Sequence, residues 1–320
     1  MGKKLGVALG AGAARGLAHI GVLKVLHAQK IYPDYLAGTS MGAVIGALYA
    51  AGYTPEEIER LASTAHWKDM IDFTLPKHGM LRGKKVEEQL RKLLQGKTFS
   101  QLSIPLQVVA YNLSKHRPVI FSQGDVAVAV RASLSIPAVF TPLRIGHDQY
   151  IDGGVANPTP FDVVRAMGAQ VVLAVDLFEE QKWGAAPRAR QFTFFQEMKQ
   201  RFVQEELHEL KNLMFPEGWP PFLRRLLMSL FDKLISPVRV LRILAGREIP
   251  PIMRTMHQAT LILMNNLAQA RLAGADVDVV VKPSCNHLHW SDFDRAPEFI
   301  KAGEQAMEKE VRKMKRLCKE

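Results

Sequence analysis

The chain has 320 residues, with 42 Lys plus Arg against 31 Asp plus Glu and a formal charge of +11. Hydrophobic residues at 48% and charged residues at 23% match a globular protein and exclude a disordered or fibrous chain. Two cysteines, Cys285 and Cys318, exclude a disulfide framework, and neither belongs to a CxxC or Cys/His cluster of zinc-ligand spacing.

The apolar runs within Ala43–Ala51 and Val171–Val175 fall short of the roughly 18 residues of a bilayer span. The basic start, Met1 to Lys4, leads into an apolar run that breaks at once into glycines, unlike a secretory signal. Gly6 stands where a myristoylation motif needs Ser or Thr. The expected setting is soluble, reducing and cytoplasmic.

Lys4–Leu9 is a short apolar run ending in glycine and predicts a buried strand; Gly10–Gly16 predicts a Gly/Ala loop. Leu17–Gln29 has helical apolar spacing, Tyr35–Gly38 reads as a second strand and Met41–Ala51 as a second helix, closed by Gly52. Thr54, Pro55 and Glu57 form a capping-box signature that starts a third helix. Lys84–Leu94 is an amphipathic helix, Leu106–Tyr111 and Pro118–Phe121 are strands, and Val126–Leu134 is a helix ending before Pro137. Gln170–Leu177 and Asp276–Val281 are later strands, and Ala296–Leu317 is a charged terminal helix. Strands alternating with helices predict an α/β protein with a mostly parallel sheet.

Residues 181–255 break this rhythm, with six prolines between Pro216 and Pro251, and predict a helical insertion or cap. The expected organisation is a core at 1–180, the insertion at 181–255, and a return strand and helix at 256–320 that complete the core. Residues 1–180 carry 19 basic and 15 acidic residues, and residues 181–320 carry 23 and 16. Phe222–Arg254 alone holds seven basic residues against two acidic, mixed with large apolar side chains. Within it, Phe222–Ile235 places Leu223, Leu226, Leu227, Leu230, Phe231 and Leu234 on one helical face, beside Arg224, Arg225, Asp232 and Lys233. That pattern fits either a helix packed on the core or a second subunit, or one lying in an anionic membrane interface across 222–245. No nucleic-acid docking motif is present.

Gly38-Thr39-Ser40-Met41-Gly42 is a GxSxG between an expected strand and an expected helix, the setting of a nucleophile elbow. Glycines permit the sharp turn, and Ser40 would project at a helix start, where amides and the helix dipole favour negative charge. The alternative is a strand–helix turn with Ser40 as an N-cap. The loop Gly10-Ala11-Gly12-Ala13-Ala14-Arg15-Gly16 lacks the lysine and serine of a phosphate loop and does not space as GxGxxG. An anion-stabilising loop beside Ser40 fits it better, because the first two strands of a βαβ unit lie close together. Asp152-Gly153-Gly154 is a carboxylate-bearing turn, with an ordinary Asx-turn as the alternative.

Arg15-Gly16, GTSMG at 38–42, Arg131-Ala-Ser-Leu-Ser-Ile-Pro137, Asp152-Gly-Gly154 and Asn157-Pro158 stand in the order seen in bacterial patatin-like phospholipases, which the chain resembles over residues 4–177, with a return at Asp276–Pro283. The resemblance implies a three-layer α/β fold and hydrolysis of fatty acyl esters of lipids, as a phospholipase or lysophospholipase, by a Ser-Asp dyad. Ser40 would be the nucleophile and Asp152 its general base. Amides of Gly12, Ala13 and Ala14 would form the oxyanion hole, anchored by Arg15. No metal or other cofactor is implied. The family usually has glycine where Ala11 and Ala13 stand, and alanine costs about 1 kcal/mol wherever positive φ is needed.

Two alternatives stay open. One is a non-catalytic lipid-binding or regulatory protein on the same scaffold. The other is a Ser-Asp-His triad with His208, His257, His287 or His289 as base. His287 and His289 form an HxH beside Trp290 with no third ligand, and read as surface or local structural residues. Met253, Met256 and Met264 read as core fillers rather than cofactor ligands. A homo-oligomer is compatible with the sequence.

Overall fold

The computed structural model describes residues 2–65, 72, 81–178, 214–216, 218–234, 251–285 and 287–319. The chain divides into two compact units, Met1–Ala186 with His257–Glu320, and Pro187–Met256.

In the first unit, β1 (Leu5–Leu9) is buried at every position, as a parallel strand covered on both faces must be. A 3-10 turn (Ala13–Leu17) leads into α1 (Ala18–Ala28), so half of the expected Gly/Ala loop is helical. β2 (Tyr35–Thr39) and α2 (Met41–Ala50) follow, then α3 (Pro55–Thr64). The capping box of α3 is formed: the Thr54 hydroxyl accepts from the Glu57 amide at 3.2 Å, and the Glu57 carboxylate accepts from the Thr54 amide at 2.8 Å. Next come α4 (Lys84–Leu93), β3 (Leu106–Asn112), β4 (Arg117–Phe121) and α5 (Val126–Ser133). β5 (Leu143–Ile145), β6 (Asp148–Asp152) and α6 (Phe161–Ala166) are elements that the periodicity does not reveal, because each is short. β7 (Val171–Val175) closes the first half of the core. The second unit contributes α7 (Pro221–Leu234). α8 (Pro251–Leu272) belongs to the first unit from His257 on, followed by β8 (Val279–Val281) and α9 (Ala296–Lys319). Among the described residues no helix is long and apolar enough to cross a membrane.

The sheet order is β5-β6-β3-β2-β1-β7-β8, with β4 also paired to β3. β3-β2-β1-β7-β8 is parallel throughout, and β4, β5 and β6 form antiparallel pairs. Alternate residues of β1 and β7 enter two different cores. Leu5, Val7, Leu9, Val171, Leu173 and Val175 face one, while Ala8, Val172 and Ala174 face the other with Val163 and Val164 of α6. Helices on both sides of a mostly parallel sheet make this a three-layer α/β fold. The terminal helix is integral to it. α1 and α9 touch through Gly21 and Gly303, where a Cβ would stand 1.9 Å from a carbonyl oxygen of the opposite helix.

One feature of the sheet positions the site. β3 has three partners but only two edges. β4 covers Val108–Asn112 on one edge. The other edge is shared in succession: β2 runs parallel along Leu106–Val109, and β6 comes back antiparallel along Ala110–Asn112. Thr39 ends β2 opposite Val109, and Asp152 ends β6 opposite Ala110. The two strands therefore meet head-on, and residues more than 100 positions apart in the chain are forced together at the junction.

Candidate active site

Ser40 turns the chain from β2 into α2 at φ 56 and ψ −123. A non-glycine residue held there costs on the order of 1–3 kcal/mol and marks a place where the surrounding fold imposes the conformation. Tight packing explains the glycine two residues on: a Cβ on Gly42 would lie 2.0 Å from the Leu9 carbonyl oxygen. Ser40 occupies the N-cap position of α2, as the alternative reading has it, but its side chain makes no capping bond to the helix.

Two bonds from one segment hold the junction. The Ser40 amide donates to Ser133 Oγ at 2.7 Å, and Ser133 Oγ donates to the Val109 carbonyl at 2.6 Å. The Asp152 amide donates to the Ser135 carbonyl at 2.9 Å. The Arg131–Pro137 motif thus pins both residues at once, a role the sequence does not assign to it. Arg131, almost fully buried, braces this segment by donating to Ser135 Oγ at 2.6 Å.

Asp152 is wholly buried. Its Oδ1 accepts from the Gly154 amide at 2.7 Å, so the Asx-turn of the sequence alternative is present. Burial pushes the carboxyl up to about 6, opposed by the Ser40 hydroxyl and the Gly154 amide. The Ser40 hydroxyl is therefore close enough to act on the carboxylate, while Oδ2 has no donor at full hydrogen-bond geometry. A near contact that is not aligned is common in sites that tighten only around substrate. One oxygen makes the turn, and the other has no hydrogen-bond partner among the described residues.

The Gly-rich loop lies against the same junction. The Gly10 amide donates to Val175 O at 3.1 Å, Ala11 to Pro158 O at 2.8 Å, Ala14 to Trp290 O at 2.9 Å and Arg15 to Gly12 O at 3.0 Å. The amides of Ala14 and Arg15 are thus engaged, and those of Gly12 and Ala13 have no acceptor among the described residues. Ala13 adopts φ 48 and Ala11 does not have positive φ. Only Ala13 therefore carries the alanine cost, about 1 kcal/mol. Buried His19 fixes the loop's start, donating from Nε2 to Gly10 O at 2.8 Å. Burial lowers its pKa to about 4, so it is a neutral structural imidazole at physiological pH. Asn157-Pro158 joins loop to elbow: the Thr39 hydroxyl donates to Asn157 O at 2.9 Å, beside the Ala11–Pro158 bond.

No histidine among the described residues hydrogen-bonds Ser40 or Asp152. His257 is buried against the Trp290 ring, with centroids 4.6 Å apart. His289 Nδ1 pairs with Ser291 Oγ at 2.6 Å, and His287 is exposed near Glu298. His208 lies outside the described residues. Among the described residues no cluster of three or more His, Cys, Asp or Glu is arranged to hold a metal.

Fold and site together define a three-layer α/β protein built around a serine elbow that faces a buried carboxylate. Residues 7–165 match the family model of patatin-like phospholipases. An uncharacterized NTE family protein of Mycobacterium tuberculosis is 34% identical over 183 residues, covering 54% of this chain and 49% of that protein. The human patatin-like phospholipase domain-containing protein 6 is 33% identical over 184 residues, covering 55% of this chain and 13% of that protein. The match thus spans about half the length of the mycobacterial relative and a small part of the human one. The solved structure of VipD from Legionella pneumophila superposes with a TM-score of 0.53 at 12% identity, covering 98% of this chain and 67% of that one, a likeness of fold. The chain belongs to the patatin-like phospholipase family.

Proposed function

We propose that the protein is a serine acyl hydrolase acting on fatty acyl esters of lipids, with Ser40 as nucleophile and Asp152 as general base. The observation that carries this is the head-on junction, which sets a serine in a strained elbow against a buried carboxylate with one oxygen uncommitted. Support for a lipid substrate comes from the family, which includes a protein described as lysophospholipase nte1 in Aspergillus fumigatus, 32% identical over 184 residues.

The chemistry follows from the groups present. As Ser40 Oγ attacks the ester carbonyl carbon, its proton passes to Asp152, and the carbonyl π pair moves onto oxygen. The Gly12 and Ala13 amides, which have no acceptor among the described residues, stabilise that oxyanion. Collapse expels the alcohol, which takes the proton from Asp152 and leaves an acyl-serine. Water then attacks the acyl carbon with Asp152 as base, releasing fatty acid and restoring Ser40. A carboxyl at about 6 is a better base than an ordinary aspartate and is still ionised at neutral pH.

The test is fluorophosphonate labelling together with hydrolysis of a short p-nitrophenyl ester. Wild type should label and turn over, and Ser40→Ala should do neither while keeping its circular dichroism spectrum. Full hydrolysis by Ser40→Ala overturns the assignment, and a folded wild type that neither labels nor hydrolyses selects the non-catalytic lipid-binding alternative. Alanine at His208, His257, His287 or His289 should leave turnover in place; loss at one of them selects the triad.

Exposed side chains on α7 favour a peripheral membrane contact as part of the same function. Phe222 is 73% exposed and Leu226 55%, with Arg225 exposed beside them. Leu223 and Leu227 of the same face are half-buried, and the side chains of residues 230–245 lie outside the described ones. Phe222→Glu with Leu226→Glu should weaken flotation with phosphatidylglycerol vesicles by about tenfold or more, since each apolar side chain left in water forfeits about 1.5–3 kcal/mol. Equal flotation of wild type and variant removes α7 from the contact.

A further inference from the structure

Asp152 ends a strand, yet no solvent reaches it. β3 and the Ser133–Ser135 segment hold the backbone at the junction, but they do not account for the apolar side of the carboxylate. That side is built from elsewhere. The point where a Cβ on Gly154 would stand is 2.0 Å from Met264 Cε, 3.1 Å from Asp152 Oδ1 and 3.4 Å from Ala11 Cβ. Gly154 is bare because the Met264 methyl fills its place. Met264 is 4% exposed and packs with Ala11, Phe178 and Ala268 in an apolar cluster separate from the main core. Met264 and Ala268 lie one turn apart on α8, so the same helical face supplies both.

We infer that Met264, on a helix outside the family-matched residues, is a positioning residue for the reaction: with Ala11 it forms the apolar wall that keeps the Asp152 carboxylate dry. The proposal rests on Asp152 being the base. Its physical content is independent of turnover, because it concerns the proton affinity of one carboxyl. Dehydration favours the neutral acid, so the wall strengthens the base. Gly154 completes the wall by absence, since any side chain there would displace the methionine.

Other sources of the same effect can be named. The described titratable side chains on the surrounding elements are Arg15 on the Gly-rich loop, Tyr111 on β3, Arg131 on α5, Asp148 and Tyr150 on β6, and His257 and Arg271 on α8. None of them is among the influences on the Asp152 proton, which are burial, the Ser40 hydroxyl and the Gly154 amide. Asp176, beyond β7, is engaged by Thr159 at 3.2 Å and Gln269 at 3.3 Å. Desolvation is the largest influence, and Met264 is the side chain nearest the Gly154 position on that side.

The experiment is a carboxyl ¹³C NMR titration of Asp152 in the 320-residue chain, read beside the acid limb of the pH–rate profile on a soluble ester. Met264→Gln keeps the length and brings a polar amide to the wall; it should lower the Asp152 midpoint by about one pH unit, a tenfold loss of proton affinity. Met264→Leu keeps an apolar wall and should hold the midpoint at the wild-type value. Ala11→Ser adds one hydroxyl to the same wall and should move the midpoint in the direction of Met264→Gln, and it decides the matter where Met264→Gln does not fold. An unmoved midpoint in a folded polar variant overturns the proposal, as does an equal fall in Met264→Leu. Because the NMR midpoint does not depend on turnover, a shifted midpoint in a protein that hydrolyses nothing overturns the catalytic role of Asp152 and leaves the wall standing.

Discussion

Asp152→Asn should inactivate the protein and stabilise it at the same time. The activity loss is on the order of 10²–10⁴-fold, the usual contribution of a positioned general base, because an amide cannot take the serine proton. The stability gain follows from linkage. The folded carboxyl stands at about 6, raised by burial above the ordinary aspartate value near 3.9. A carboxyl whose folded pKa is raised favours the folded state only below the unfolded value, and loses that advantage as pH climbs through the folded one. Above about 6 the fold must hold an ionised, dry carboxylate, at a cost of about 2–3 kcal/mol relative to a neutral group. Asparagine removes that cost: its oxygen can keep the Gly154 amide, and its NH₂ meets the Ser40 hydroxyl where Oδ2 had no aligned donor. Thermal unfolding at pH 8 should rise by about 5 °C, and the gain should vanish near pH 4, where wild-type Asp152 is protonated. In wild type, kcat/KM should climb with pH and level off above about 6. Equal unfolding temperatures at pH 8 would mean that the carboxylate is not desolvated, and retained hydrolysis that it is not the base.

The strands and helices of the parallel core are legible in the sequence because each is long enough to show its period: β1, β2 and β7 as apolar runs, α1 and α9 as helical stripes. β5, β6 and α6 have three, five and six residues, too few for a period to stand out. That gap matters, because the meeting of β6 with β2 along one edge of β3 brings the site together. Register between distant strands is a tertiary property. Ser40 and Asp152 are therefore identifiable as motif residues, whereas the meeting of their strand ends along β3 is not derivable from spacing. The Ser40 elbow also defeats simple propensity, since φ 56 is disfavoured for serine and is held by tertiary surroundings such as the packing at Gly42 and the Ser133 bond. Trp290 gave no sequence signal at all: its backbone carbonyl, not its ring, engages the Ala14 amide. Met264 does read as a core filler, as it is, but nothing in the sequence says which charge its methyl covers.

Arg131→Lys should lower stability by about 3 kcal/mol and reduce activity of the protein that remains folded by about tenfold. Arg131 is among the largest fully buried side chains, and its guanidinium sits in a cage of acceptors rather than against a carboxylate. Nε donates to Gly83 O at 2.9 Å, Nη1 to Ser135 Oγ at 2.6 Å, and Nη2 to Arg82 O at 2.6 Å and Thr141 O at 3.3 Å, with the Phe140 ring 5.0 Å from Cζ. Burial lowers its pKa to about 10, which Asp72 and Glu87 oppose through their charge, so it stays protonated at neutral pH. Asp72 reaches the same peptide from the other side, accepting from the Gly83 amide at 2.6 Å and the Lys84 amide at 2.7 Å at the start of α4. The fork geometry is what lysine lacks: three donors on one nitrogen cannot span acceptors on residues 82, 83, 135 and 141. The unmatched oxygens then remain buried without donors, which is the costly half of losing a hydrogen bond. The damage should reach the site through one connection. Ser135 accepts from Arg131 through its hydroxyl and from the Asp152 amide through its carbonyl, so a loosened Ser135 lets Asp152, the proposed base, drift from Ser40. The effect should therefore fall on kcat rather than KM, because positioning of the base matters in the transition state and substrate contacts are untouched. Urea unfolding and ester kinetics on the same preparation check both halves. An Arg131→Lys variant within about 0.5 kcal/mol of wild type would show that the acceptors find water instead. A rise in KM at constant kcat would place Arg131 in substrate binding, not in holding the base.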